Sequence, residues 1–264
     1  MTPTTRSFEE QLAAIRAQPV PEEIGRGVKQ LLDSGRYPEA VFWGAILKRG
    51  AHIVFRNQSP VFQAIPLFSS PLLVNDYLKA TGTPADMQVL GMNIDSLPQV
   101  AEQWRAGGID SFFFNRCPRF PIVQPISPQD RLITKKQLTF VWATNMTIRN
   151  WRAAKLVREY LGYKGDDAMQ AKRATLELLR DHVAYDNPYI HWLIALIAGI
   201  QGDKAAQSAA VETLKEFGPG VASEMPVADG SKCDEAWVDA MAKAHVGLLA
   251  AFGLLQLQPT QPQR

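Results

Sequence analysis

The stretch MQVLGMNIDSLPQVAEQWRAGGIDSFFF, residues 87–114, decides how the first half of the chain is read. MQVLGMN (87–93) is a short apolar run of strand length. SLPQVAEQWRAGG (96–108) has the length of a helix, and Gly107 and Gly108 release the chain from it. DSFFFN (110–115) returns to strand composition. Side chains alternate along a strand, so Phe112 and Phe114 point one way and Phe113 the other. With both faces apolar, an interior strand covered on two sides is expected.

Upstream, the same alternation of short and long apolar periods continues. AHIVFR (51–56) and FQAIPLF (62–68) flank the turn-like NQSP and read as a hairpin or two adjacent strands. PLLVNDYLKATG (71–82) opens on Pro71 and closes on Gly82, the punctuation of a helix. At the start, PEEIGRGVKQLLDSG carries Pro21 in a first turn, Glu22 and Glu23 beside it, and a stripe of Ile24, Val28, Leu31 and Leu32. Next comes YPEAVFWGAILKRG (37–50), where Val41/Ala45 and Phe42/Ile46 are four apart and Gly50 follows Lys48 and Arg49. A second helix is expected there.

Downstream, Pro118, Pro121, Pro125 and Pro128 crowd one segment. Proline at that density removes the donors a central strand needs, which puts a boundary near residue 125. Beyond it the chain reads as helical throughout, beginning with an unbroken run over 132–161. Gly165-Asp166-Asp167-Ala168-Met169-Gln170 recurs as Gly202-Asp203-Lys204-Ala205-Ala206-Gln207, 37 residues on, and periods in the thirties mark stacked helix–turn–helix units. A last helix at about 234–255 caps the stack. The fold class is therefore α+β: a small mixed sheet with flanking helices over 1–125, then an all-α helical-hairpin region over 126–255, with 256–264 a disordered tail.

Composition narrows the function. Of 264 residues, 46% are hydrophobic and 20% charged, with 28 Lys+Arg against 26 Asp+Glu for a net charge of +2. Those are the proportions of a globular chain, and charge is balanced on both sides of Pro125. Such balance argues against a dedicated nucleic-acid binder. Cys117 and Cys233 are too few for a disulfide scaffold or a four-thiolate zinc site, and sparse thiols suit a reducing compartment. The most apolar windows, 189–200 and 245–255, are about a dozen residues each, where a membrane span needs roughly 20. No apolar core of a signal peptide is visible near the start. A cytoplasmic protein is expected, with no membrane association.

Residues 41–122 resemble the N-terminal domain of the enhanced-serine-sensitivity (SseB-type) family. The likeness lies in element order, in AIPLFSS (64–70) running into a helix, in the helix with Val100 and Trp104, and in a closing strand with Asn115 followed by Pro118. That family usually sets proline directly after the asparagine; here Arg116 and Cys117 intervene. The resemblance implies no catalysis and points to an interaction or accessory role. The Gly-Asp-x-Ala turns and the small residues Ala195, Ala198 and Gly199 resemble tetratricopeptide hairpins, an analogy of architecture that supplies no function by itself.

Chemistry-bearing residues are few. Arg116 and Arg119 flank Cys117 closely enough to lower a thiol pKa, but no histidine lies nearby and Val123 stands where a phosphatase loop would need arginine. The arginines are better placed than the thiol: with Asn115 they stand beyond a strand end, where an acidic group could be held. His182 and His191, with Asp181 and Asp186, are the nearest approach to a metal set. Asn187-Pro188 breaks the helix between them, so surface and capping roles are expected and no metal is assigned. No phosphate-binding, dinucleotide or hydrolase motif is present, and no cofactor is assigned. Arg149, Arg152, Lys155 and Arg158 recur at threefold spacing beside Trp151, a charged face for a protein partner rather than a nucleic-acid track. The candidate binding residues are Asn115, Arg116, Arg119, Arg149, Arg152 and Lys155. The expected function is non-catalytic protein–protein interaction as an accessory or adaptor protein with a protein partner. The alternative is an anionic small-ligand binder, or an enzyme, acting at the 115–120 loop.

Overall fold

The computed structural model describes residue 10 and residues 21–34, 41–47, 55–56, 63–81, 87–106, 111–114, 135–227 and 233–255. Most of these are helical, with five short strands among the described residues. From Pro21 on, the chain divides into two compact units between Arg149 and Asn150. The boundary expected near 125, the tail 256–264 and Asn115, Arg116, Cys117 and Arg119 all lie outside the described residues.

In the first unit, helix α1 (Glu22–Asp33) opens after Pro21 with two acidic residues in its first turn, where the positive end of the helix dipole favours them. Strand β1 (Val41–Leu47) follows. This corrects the expected second helix over 37–50. Residues four apart share a face in a strand as well as in a helix, so the pairs Val41/Ala45 and Phe42/Ile46 could not tell the two apart. What decides is content and partner. Val41, Phe42, Trp43 and Ile46 are β-formers, Gly44 would weaken a helix interior by about 1 kcal/mol, and β1 pairs antiparallel with β4 (Met87–Asn93) along its whole length, Phe42 opposite Met92 and Gly44 opposite Leu90.

Strand β2 (Phe55–Arg56) pairs antiparallel with β3 (Gln63–Leu67), in keeping with the expected hairpin or pair of adjacent strands; the rest of the run 51–56 lies outside the described residues. Helix α2 (Pro71–Thr81), strand β4, helix α3 (Leu97–Ala106) and strand β5 (Ser111–Phe114) then follow as the 71–114 reading requires. β5 runs parallel to β3, with Ile65 opposite Phe112 and Leu67 opposite Phe114. Among the described residues the strand orders are β1-β4 and β2-β3-β5, so β5 ends its sheet instead of lying between two strands. Phe114 nevertheless is buried, in a core with Leu67, Met92, Ile94, Leu97 and Leu138. Leu138, Val141 and Trp142 reach that core from the start of α4 (Lys135–Gly162). The first half of that helix, read from sequence as part of the helical region, thus packs with the sheet.

In the second unit, the rest of α4 is followed by α5 (Ala168–His182), α6 (Pro188–Ile200), α7 (Lys204–Glu216), α8 (Pro219–Glu224) and α9 (Glu235–Ala251). α6 is the centre. Ile190 to Ala198 are all buried, and α5, α7 and α9 each pack on it. A helix apolar all round belongs inside such a cluster. The Gly-Asp turns do what their composition predicts: Gly165 and Gly202 take φ of 101° and 70°, conformations open to glycine. Asp203 then caps α7, accepting from the Ala206 N–H at 3.0 Å. Asn187 and Asp234 cap α6 and α9 in the same way.

Candidate functional site

Of the basic residues singled out on α4, Arg149, Arg152, Lys155 and Arg158 stand on one continuous helix, but each step of three turns the row back by about 60°. Over the four residues the row therefore sweeps about half the circumference and does not gather on one face. Arg149, Arg152 and Lys155 are half-buried and Arg158 is exposed. The Nε atoms of Arg149 and Arg152 are sealed from solvent, and burial holds the Arg152 guanidinium below its ordinary pKa. Lys155 lays its ammonium 4.3 Å from the centre of the Trp151 ring, covering the aromatic that a stacked base would need.

His191 differs from expectation. It is 1% exposed, not a surface residue. Its Nε2 lies 2.7 Å from the Tyr185 carbonyl oxygen, and its ring is edge-on to Tyr185 and Phe217. Burial lowers its pKa to about 4, against a smaller raising effect from the Tyr185 carbonyl. Asn187-Pro188 does start a new helix, as read from sequence, and the chain folds His191 inward on its first turn. Among the described residues no three His, Cys, Asp or Glu side chains are grouped to hold a metal ion. Cys233 is exposed.

Two side-chain clusters were invisible to spacing. In the first, Arg173 on α5 binds Glu177 at 2.9 Å, the Gln201 side chain at 2.9 Å and the capping Asp203 at 2.7 Å. It ties α5 to the turn that starts α7. The Ala206 N–H and then Arg173 hold the Asp203 carboxyl below the usual carboxylate range. In the second, the Tyr160 hydroxyl on α4 hydrogen-bonds His245 Nε2 on α9, with the Lys172 ammonium 5.5 Å from the Tyr160 ring. Tyr160 and His245 are 85 residues apart, beyond any local pattern.

Helix α9 also leaves an apolar row outward. Its buried side is Trp237, Ala240, Met241, Ala244 and Leu248. On the outer side Val238 is 54% and Val246 52% exposed, with exposed Ala242 one turn from each. Asp234, Glu235 and Asp239 crowd the first half of the same helix and are exposed; Asp239 pairs with Lys243 at 2.7 Å. A shallow hollow of about 300 Å³ in the first unit, between α1 and α4, is lined by Gly27, Val28, Leu31, Ala143 and Thr147 with Glu23 at its edge. It lacks the convergent polar groups that orient a small ligand.

Compared with family models, curated proteins and solved structures, the chain matches none. No described helix is long and apolar enough to cross a membrane.

Proposed function

We propose that this chain is a non-catalytic accessory or adaptor protein of the cytoplasm. In this proposal an α+β unit of the enhanced-serine-sensitivity (SseB) type is joined to a stack of tetratricopeptide-like hairpins that recognises a protein partner. The observation that carries it is the outer face of α9. A helix packed on one side ordinarily carries charged or polar residues on the other, yet here Val238, Ala242 and Val246 form an exposed apolar row at helical spacing. Such a row fits the apolar stripe of a partner helix. Asp234, Glu235 and Asp239 beside it favour a partner whose flanks are basic.

The polar clusters support the same reading. Asp203 and Arg173 hold a helix start, and His191 satisfies a backbone carbonyl, so these groups serve the scaffold.

The test compares the full-length tagged chain with its Val238→Asp/Val246→Asp form in affinity capture from native extract, followed by binding of the captured protein in purified form. One protein should bind the wild-type chain directly and lose at least tenfold in affinity for the variant. Its binding should weaken with added salt, as acidic-to-basic complementarity requires. If the purified protein binds both forms equally, the α9 face is not the site and the proposal fails.

A further inference from the structure

The Tyr160–His245 pair joins helices that nothing in the local sequence relates, and its chemistry depends on protonation. Tyr160 is buried in the core of the helical unit with Leu156, Leu176 and Leu193. Its hydroxyl meets Nε2 of His245, and the His245 side chain also bonds the Met241 carbonyl one turn back on its own helix. A neutral imidazole has one donor and one acceptor nitrogen. Giving the N–H to Met241 leaves Nε2 as acceptor, and the Tyr160 O–H as its donor. The two rings are 5.2 Å apart and tilted at 45°.

Protonation undoes this arrangement. Both imidazolium nitrogens are donors, so the Tyr160 oxygen has to become the acceptor and its own buried proton, turned away from Nε2, loses its acceptor. The new charge also meets a like charge, because Lys172 on α5 stands over the Tyr160 ring. The groups that bear on the ring come from each helix around it: Tyr160 from α4, Lys172 from α5, and the Met241 carbonyl from α9 itself. From α6, Tyr189 meets the same stretch of α9 at Gly247. Burial first, then Lys172, holds His245 below the ordinary histidine value, and the Met241 carbonyl opposes them.

α9 has a second set of attachments that no proton disturbs. The Trp237 indole N–H points to the Leu196 carbonyl of α6 at 3.5 Å, and the Tyr189 ring of α6 lies so close to Gly247 that a Cβ there would sit 2.1 Å from it. The cost of protonation therefore falls on the Tyr160–His245 contact, which leaves α9 on α6 and loosens it from α4 alone.

We infer that Tyr160, His245 and Lys172 form an acid-released latch that docks α9 against the second half of α4 at neutral pH and frees it when His245 is protonated. A lone neutral histidine in a core would only destabilise the whole unit on acidification. This one sits at a junction whose other side is held independently, so the response is local opening.

Hydrogen exchange of the full chain, corrected for the intrinsic pH dependence, measures it between pH 7.5 and 5. Amides around Tyr160 and around His245 should lose protection by up to about tenfold per pH unit below the titration of His245, in excess of the general loss that His191 brings and that α7 amides report. His245→Gln, which cannot be charged, should abolish the excess and leave the general loss. An excess that persists in His245→Gln, or wild-type protection without one, overturns the latch. Should His245→Gln fail to fold, the ring titration of His245 is followed by NMR in the wild type and in Lys172→Met. The midpoint should rise toward the ordinary histidine value in the variant, and an unchanged midpoint also overturns it.

Discussion

The sheet unit and the helical unit are built on opposite plans. In the first, partners are far apart in sequence: Val41 pairs with Asn93, Ile65 with Phe112, and Leu67 shares a core with Leu138. In the second, neighbours in space are mostly neighbours in sequence, α5 on α6 and α6 on α7, with α9 returning to α6. One arrangement depends on long-range closure, the other on successive addition to a buried central helix. The difference shows where each is vulnerable: in the sheet unit at the few residues where strands meet α4, in the helical unit at α6.

The largest effects should come from emptying each centre. Leu193→Ala in α6 and Leu67→Ala in β3 remove fully buried side chains and should each cost about 2–5 kcal/mol in urea denaturation. If Leu67→Ala costs under about 1 kcal/mol while Leu193→Ala costs the full amount, the sheet unit has no tight core and the comparison breaks.

A pH effect of similar size belongs to the helical unit. His191 titrates near 4 in the folded chain and near 6.5 when unfolded. The unfolded chain thus binds the proton first, and stability present above about pH 6.5 is lost as pH falls toward about 4, a total of about 3 kcal/mol. His191→Gln should flatten that part of the stability–pH curve in urea titrations. An unchanged curve would mean that His191 is not the buried neutral group described.

Gly247→Ala places a methyl against the Tyr189 ring. A loss of about 1–3 kcal/mol is expected, and a neutral result would show the ring free to swing aside. Asp203→Ala removes the cap of α7 and the anchor of Arg173 together. With the ion pair partly exposed, a loss of stability in urea denaturation carried mainly by the cap is expected, and Asp203→Asn, which keeps the cap, should recover most of it. Equal losses in the two variants would shift the weight from the cap to the ion pair.

Much of the architecture was legible because its signals are local. MQVLGMN gave the strand bounds directly, Pro71 and Pro188 mark helix starts, and Gly165 and Gly202 mark turns through the φ that glycine alone adopts freely. The 37-residue recurrence was only partly a repeat. Gly165 and Gly202 correspond, but α5 begins at Ala168 and α7 at Lys204, one residue out of step. VFWGAIL was misread because a spacing of four is common to both periods, and only β4 alongside resolves it.

The candidate site was less legible. Arg149, Arg152 and Lys155 were found by type and spacing, but a threefold row on a helix turns away from itself, so the shared face did not follow. The apolar row Val238, Ala242 and Val246 was in plain sight at fourfold spacing. It could not be distinguished from a core stripe until the other side of α9 was seen buried on α6.

By itself, then, the amino-acid sequence determined the turns, the caps, most element bounds and the helical character of the second half, since each depends on the backbone preferences of a few adjacent residues. Tertiary structure alone decided that 41–47 is a strand, that the start of α4 belongs with the sheet, that His191 faces inward, and that Tyr160 meets His245 across 85 residues. These depend on which distant surfaces exclude water together, and apolar burial has no preferred sequence separation.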